Sequence, residues 1–192
     1  MSKKILCQFP GVHYSVDCPL LYYPALPYYR AGFEILPMDY RVQQVEDGLS
    51  QLKDYGAEAL DHLIEDWRDY PWDSCQKVIF LEKSIGTLVG MGLEDALRAQ
   101  GVKVPIHHLV LTPINKTLPL MREDRRMDYI VAGNKDRLID LDRLTKQCKG
   151  LKAKPEILDG LGHRLEVEAS VKKSLKIIDH IVNQCLKKCP AD

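Results

Sequence analysis

No charge of one sign dominates this chain: 27 lysines and arginines balance 27 aspartates and glutamates over 192 residues. The most basic stretch, Lys146 to Lys154, is short and interrupted by Gln147, Gly150 and Leu151. That absence argues against nucleic-acid binding through electrostatics. No apolar run approaches the roughly 18 residues needed to span a bilayer. The N-terminal run Ile5-Leu6-Cys7-Gln8-Phe9 is too short for a signal peptide and ends in a Pro10-Gly11 turn. The expectation is a soluble cytoplasmic protein with no nucleic-acid or membrane partner. The six cysteines (Cys7, Cys18, Cys75, Cys148, Cys185 and Cys189) form no C-x-x-C pair, which argues against a zinc site. Cys185 and Cys189 share a face of a predicted helix and read as small side chains, since cytosolic disulfides are rare. Neither G-x-G-x-x-G nor G-x4-G-K-[ST] occurs, which leaves a nucleotide-binding domain unsupported. No repeat, linker or low-complexity segment divides the chain, so residues 1–192 are expected to form one domain with a substantial core.

What is present is an alternation of short apolar runs and amphipathic stretches. Strands are expected over Lys4 to Phe9, Phe33 to Pro37, Val78 to Leu81, Pro105 to Leu111, Tyr129 to Ala132 and Pro155 to Leu158. Helices are expected over Pro19 to Ala31, Gln43 to Trp67 (with Gly56 as a candidate divide), Ile85 to Gln100, Asp140 to Lys149 and Glu166 to Leu186. Strands separated by helices imply right-handed crossovers and a mostly parallel sheet covered on both faces. Unbroken apolar strands agree with burial on both sides. Thr112 to Asp128 has room for a loop and one short helix, not for a large lid.

Three reactive residues follow three of these strands. Ser84 lies in Glu82-Lys83-Ser84-Ile85-Gly86-Thr87, Asp136 in Gly133-Asn134-Lys135-Asp136, and His163 in Gly160-Leu161-Gly162-His163. In an open parallel sheet the carboxyl ends of the strands share one edge, where ligand sites form. A serine becomes a useful nucleophile when a histidine takes its proton, and a carboxylate behind the histidine fixes its tautomer. The Ile85 amide, at a helix start, would face a developing oxyanion. If the first strand lies beside the third, the loop Phe9-Pro10-Gly11-Val12-His13-Tyr14 flanks Ser84 and the Val12 amide becomes the second donor. Gly11 would admit close main-chain approach, and His13 and Tyr14 become candidate substrate contacts.

With these pieces in place, the chain resembles a compact, lidless α/β-hydrolase. The likeness rests on the Pro10-Gly11 loop, the Ser84-Ile85-Gly86-Thr87 elbow, Gly133 to Asp136, and Gly162-His163, and runs from the family's third strand onward. It is similar to small bacterial hydrolases with a Ser-Lys-Ser-x-Gly-Thr elbow and a Pro-Gly-x-x-Tyr loop. The resemblance implies a three-layer sandwich with strand order 2-1-3-4-5-6, and no counterpart of the family's first two antiparallel strands. It implies Ser84 as nucleophile, Asp136 as acid, His163 as base, no metal or cofactor, and a small acyl ester, thioester or amide as substrate. One position departs: the elbow usually reads G-x-S-x-G, and Glu82 occupies its first glycine. That leaves open a weakened or inactive relative that binds a small molecule or partner, with Glu82 facing solvent or paired with Lys83 or another cation.

Other residues carry weaker signals. Lys83 beside the nucleophile is either solvated, paired with Glu82, or a contact for an anionic substrate group. His107 and His108 lie inside a strand, where one is expected to be buried and satisfied. Asp159 competes with Asp136 as the acid but lies close to His163 in sequence. Asn115 and Lys116 could border the pocket. Six of the nine tyrosines fall between Tyr14 and Tyr40, a pattern expected of helix-to-sheet packing with hydroxyls at the rim.

Overall fold

The computed structural model describes residues 3–42 and 52–192. Six strands form one sheet: β1 (Lys3–Phe9), β2 (Glu34–Pro37), β3 (Cys75–Lys83), β4 (Ile106–Leu111), β5 (Arg126–Gly133) and β6 (Glu156–Leu158). Their order is β2-β1-β3-β4-β5-β6 and every pairing is parallel. The helices are α1 (Pro19–Arg30), α2 (Leu52–Trp67), α3 (Ile85–Ala99), α4 (Leu141–Gln147) and α5 (Val171–Lys188).

Side-chain alternation along the strands divides the core. Leu6, Ile79, Leu81, Leu109, Leu111 and Val131 point to one face, where α1 and α5 bring Leu20, Leu21, Ala25, Tyr28, Ile178 and Ile181. Ile5, Cys7, Phe9, Val78, Phe80 and Ile106 point to the other, under Ala59 and Leu63 of α2 and Val89, Leu93 and Leu97 of α3. Met91, Val110, Ile130 and Leu144 continue that second face beneath α4. The result is three layers with a parallel sheet in the middle. No lid covers it among the described residues: the stretch between β4 and β5 holds a single short 3-10 helix, Asn115–Leu120.

Several boundaries differ from expectation. β3 is longer than Val78 to Leu81 because Glu82 and Lys83, although charged, keep pairing with Val110 and Leu111. Gly56 lies inside α2 and does not divide it, since the missing side chain lets Leu88 and Ile85 of α3 pack close. The earlier part of the expected Gln43 to Trp67 helix, residues 43–51, lies outside the described residues. α5 begins at Val171, not at Glu166, because the Ser170 side chain accepts from the Lys173 amide and caps the helix there. Tyrosine placement is split. Tyr28 is fully buried and donates to the Cys189 carbonyl at 2.7 Å, whereas Tyr22, Tyr23 and Tyr29 are exposed.

Candidate active site

Ser84 stands where β3 gives way to α3. Its backbone sits at φ 58°, ψ −122°, a conformation that costs a residue with a side chain on the order of 1–3 kcal/mol. The turn can be this sharp because residue 86 is glycine: a Cβ there would lie 2.3 Å from the Phe9 carbonyl oxygen. Ser84 occupies the N-cap of α3, yet its hydroxyl caps nothing. Thr87 serves the turn instead, donating to the Ser84 carbonyl at 2.6 Å, while its Oγ1 lies 2.6 Å from the Thr117 hydroxyl.

The Ser84 Oγ lies 2.7 Å from His163 Nε2, and His163 Nδ1 lies 2.7 Å from Asp136 Oδ2. The Asp136 side chain is fully buried and its other oxygen accepts from the Leu138 amide at 2.9 Å. The His163 side chain keeps 21% exposure. Burial holds its pKa below the usual histidine value, with the Asp136 hydrogen bond opposing and the Lys83 charge adding to the depression. A neutral imidazole accepts a proton from serine at ordinary pH.

The loops after β5 and β6 are joined before they reach Ser84. The Asn134 amide donates to Leu158 O at 3.0 Å and the Lys135 amide to Leu161 O at 2.8 Å. Asn134 Oδ1 accepts from the Gly160 amide at 2.8 Å, and its Nδ2 donates to Asp159 Oδ1 at 2.6 Å. Asp159, the competing acid, is thereby placed in the join and not on His163. A Cβ at Gly133 would come 2.1 Å from Leu161 O, so glycine is what lets the two loops touch. Leu161 and Leu165 bracket the histidine and are both buried in the core.

The loop after β1 closes as a turn, with Gly11 and Tyr14 exchanging backbone hydrogen bonds of 3.1 and 3.2 Å and His13 at φ 52°. Gly11 abuts Ser84: a Cβ on it would lie 3.1 Å from Ser84 Cβ. Neither the Val12 amide in this turn nor the Ile85 amide at the start of α3 is hydrogen-bonded among the described residues. His13 is exposed. Tyr14 is buried and its hydroxyl accepts from the Leu20 amide at 2.9 Å, supporting the start of α1. Asn115 Oδ1 accepts from the Asp140 amide at 2.9 Å, an architectural contact, and Lys116 is exposed.

No protein-family model matches the sequence, and no curated protein matches it significantly. Solved structures do. A serine hydrolase homologue of the α/β type from Coxiella burnetii superposes with a TM-score of 0.59 at 12% identity, over 95% of this chain and 85% of that one. An esterase from Pyrococcus furiosus gives 0.55 at 12% identity, over 95% and 81%. An α/β hydrolase from Novosphingobium aromaticivorans gives 0.50 at 10% identity, over 96% and 90%. The chain has the α/β-hydrolase fold.

An α/β-hydrolase elbow normally opens with glycine, and here the structure shows how a glutamate fits. Glu82 faces neither solvent nor Lys83. It is fully buried, with Oε1 3.0 Å from His108 Nδ1, and His108 Nε2 lies 2.9 Å from Glu94 Oε2. Glu94 is in turn bridged by Arg98 at 2.9 Å and Arg125 at 3.1 Å. Space for the carboxylate comes from Gly90, where a Cβ would lie 2.2 Å from Glu82 Oε1. Burial alone would lower the His108 pKa, but Glu82 and Glu94 outweigh it and lift it to about 9. His108 was expected to be buried only as one of a strand pair, and Glu94 and Arg125 had no local signal. The available hint was a charged residue where an elbow needs a small one, which demands a buried partner. His107 is also buried, 2.6 Å from Asp128 Oδ2 and 3.5 Å from Cys189 Sγ. That cluster sits at the opposite edge of the sheet, and its His–Asp spacing is that of a hydrogen bond.

Proposed function

We propose that this chain is a serine hydrolase that cleaves a small acyl ester or thioester through an acyl-enzyme. The observation that carries the reading is the unbroken chain from Ser84 Oγ through His163 to Asp136, two contacts of 2.7 Å each. Ser84 Oγ attacks the acyl carbonyl carbon while His163 Nε2 takes its proton. The tetrahedral oxyanion is held by the Ile85 and Val12 amides, both otherwise unpartnered among the described residues. Collapse breaks the bond to the leaving alcohol or thiol, which departs with the proton from His163. Water, deprotonated by the same nitrogen, then releases the acid and restores Ser84. Asp136 holds Nδ1 protonated throughout and stabilises the imidazolium. Named relatives of this fold include an esterase, which is consistent with the substrate class.

A relative that only binds would owe the serine no histidine. Glu82, the feature that favoured that alternative, is absorbed by His108 and Gly90 and leaves the elbow geometry in place. The test is hydrolysis of p-nitrophenyl acetate and butyrate together with labelling by a fluorophosphonate. Ser84→Ala is expected to lose turnover by at least about three orders of magnitude, to lose labelling, and to keep its circular dichroism. Wild-type turnover in the purified variant would remove Ser84 as the nucleophile.

A further inference from the structure

Lys83 is buried to 1% exposure beside the proposed nucleophile, a rare state for a lysine and one that the hydrolytic steps do not use. As the last residue of β3 it points to the face opposite Glu82. Its Nζ lies 3.3 Å from the carbonyl oxygen of His163 and 4.6 Å from the centre of the Tyr14 ring. It therefore does not present its charge as a surface contact for substrate. The Tyr14 ring is itself fixed twice, by the turn that carries the Val12 amide and by the hydrogen bond from Leu20. One ammonium thus joins the nucleophile's strand, the turn of the proposed oxyanion site and the loop of the proposed base.

We propose that Lys83 is a positioning residue for His163: it grips the histidine's own carbonyl while lying over the Tyr14 ring, and so holds the imidazole between Ser84 and Asp136. This rests on the serine hydrolase reading. A lysine donates to a carbonyl and sits over an aromatic face with the same group, and both contacts gain strength when water is excluded. The ionisable groups around the ammonium are Asp136, Arg164, Glu166 and Cys18, with the Tyr14 ring against it. The charged groups acting on the His163 ring are Asp136, hydrogen-bonded to it, and Lys83, through its charge; the Ser84 hydroxyl meets its other nitrogen. Burial brings Lys83 down to about 8, against the opposing pull of Asp136, so at neutral pH it remains mostly a cation. That positive charge next to the imidazole discourages a second one there, which keeps the base neutral.

Two variants separate grip from charge. Lys83→Met removes both, and Lys83→Gln keeps a neutral donor for the carbonyl. With p-nitrophenyl butyrate, Lys83→Met is expected to lose at least about tenfold in kcat with KM within about threefold, because a misplaced base costs rate and not binding. Its acid limb should move to higher pH. Lys83→Gln should keep more of kcat than Lys83→Met while showing the same shift of the limb. Histidine NMR, with His163→Asn to assign the signal, should show the His163 titration midpoint higher in both variants. That measurement needs no turnover, so it judges Lys83 even if Ser84→Ala proves the hydrolase reading wrong. Folded variants with wild-type kcat and an unmoved His163 midpoint would overturn the proposal. A loss confined to KM would also overturn it, by assigning Lys83 to substrate. Failure of both variants to fold would overturn it too, by assigning the lysine to stability alone.

Discussion

At the residue scale, the molecule contains two histidines held in opposite charge states by their surroundings. The pKa of His163 is lowered by burial, with the Lys83 cation adding to the depression and the Asp136 carboxylate opposing it. His108 lies between two carboxylates and is raised from 6.5 to about 9. The same side chain is thus fitted to accept a proton in one place and to remain an ion partner in the other. The linkage sign follows. A histidine whose folded pKa is raised stabilises the fold fully below its unfolded value and loses that contribution as pH rises through the folded one. For His108 this window runs from 6.5 to about 9. Lys83, depressed from 10.5 to about 8, works the other way: its burial penalty is relieved as pH climbs through that interval. The two overlap, so the difference between wild type and His108→Gln isolates the histidine. Urea unfolding should show the variant destabilised by about 3–5 kcal/mol near pH 6, with the gap narrowing towards pH 10. A gap independent of pH would show that His108 does not titrate in this window.

At the scale of elements, the site is an assembly of loop contacts that glycine makes possible. Gly133 determines whether the loop after β6 can lie against the end of β5, since a Cβ would meet Leu161 O at 2.1 Å. Gly133→Ala should therefore displace Leu161 and with it His163. The expected result is at least about a hundredfold loss of kcat, since a base misplaced by about 1 Å costs that much. Ser84 should still be present and the protein still folded, which circular dichroism checks; an alanine variant with full activity would show that the two loops move independently. The apolar runs and the helical spacing made the six strands legible, because a strand covered on both faces must be apolar throughout; their order came from the resemblance. Ser84, Asp136 and His163 stood out as candidates because each follows such a run, and the structure brings the three side chains into contact. The ends of elements were less so: a hydrogen bond from Lys173 to Ser170 moved the start of α5 by five residues. The Glu82 partners were hidden for a different reason. His108 is 26 residues away on the neighbouring strand, and pairing at that separation depends on sheet register.

At the scale of the whole molecule, the parallel sheet separates its two edges. The carboxyl ends of β1, β3, β5 and β6 lead into the Gly11–Tyr14 turn, Ser84, Asp136 and His163. The other edge ties down the chain's end: Tyr28 holds the Cys189 carbonyl, and Lys4 donates to Ala191 O at 3.1 Å. Global stability nevertheless feels the first edge through the backbone of one residue. At Ser84 the φ, ψ pair belongs to glycine's territory. Ser84→Gly gives up a strain of about 1–3 kcal/mol against an entropic loss of about 0.5–1 kcal/mol. The melting temperature should rise by about 2–4 °C for each net kcal/mol recovered, as scanning calorimetry would read; a lower melting point would deny the strain. The polypeptide would thus be sturdier without the Ser84 side chain, and thermal selection acting alone would erase the hydroxyl on which the proposed acyl transfer rests.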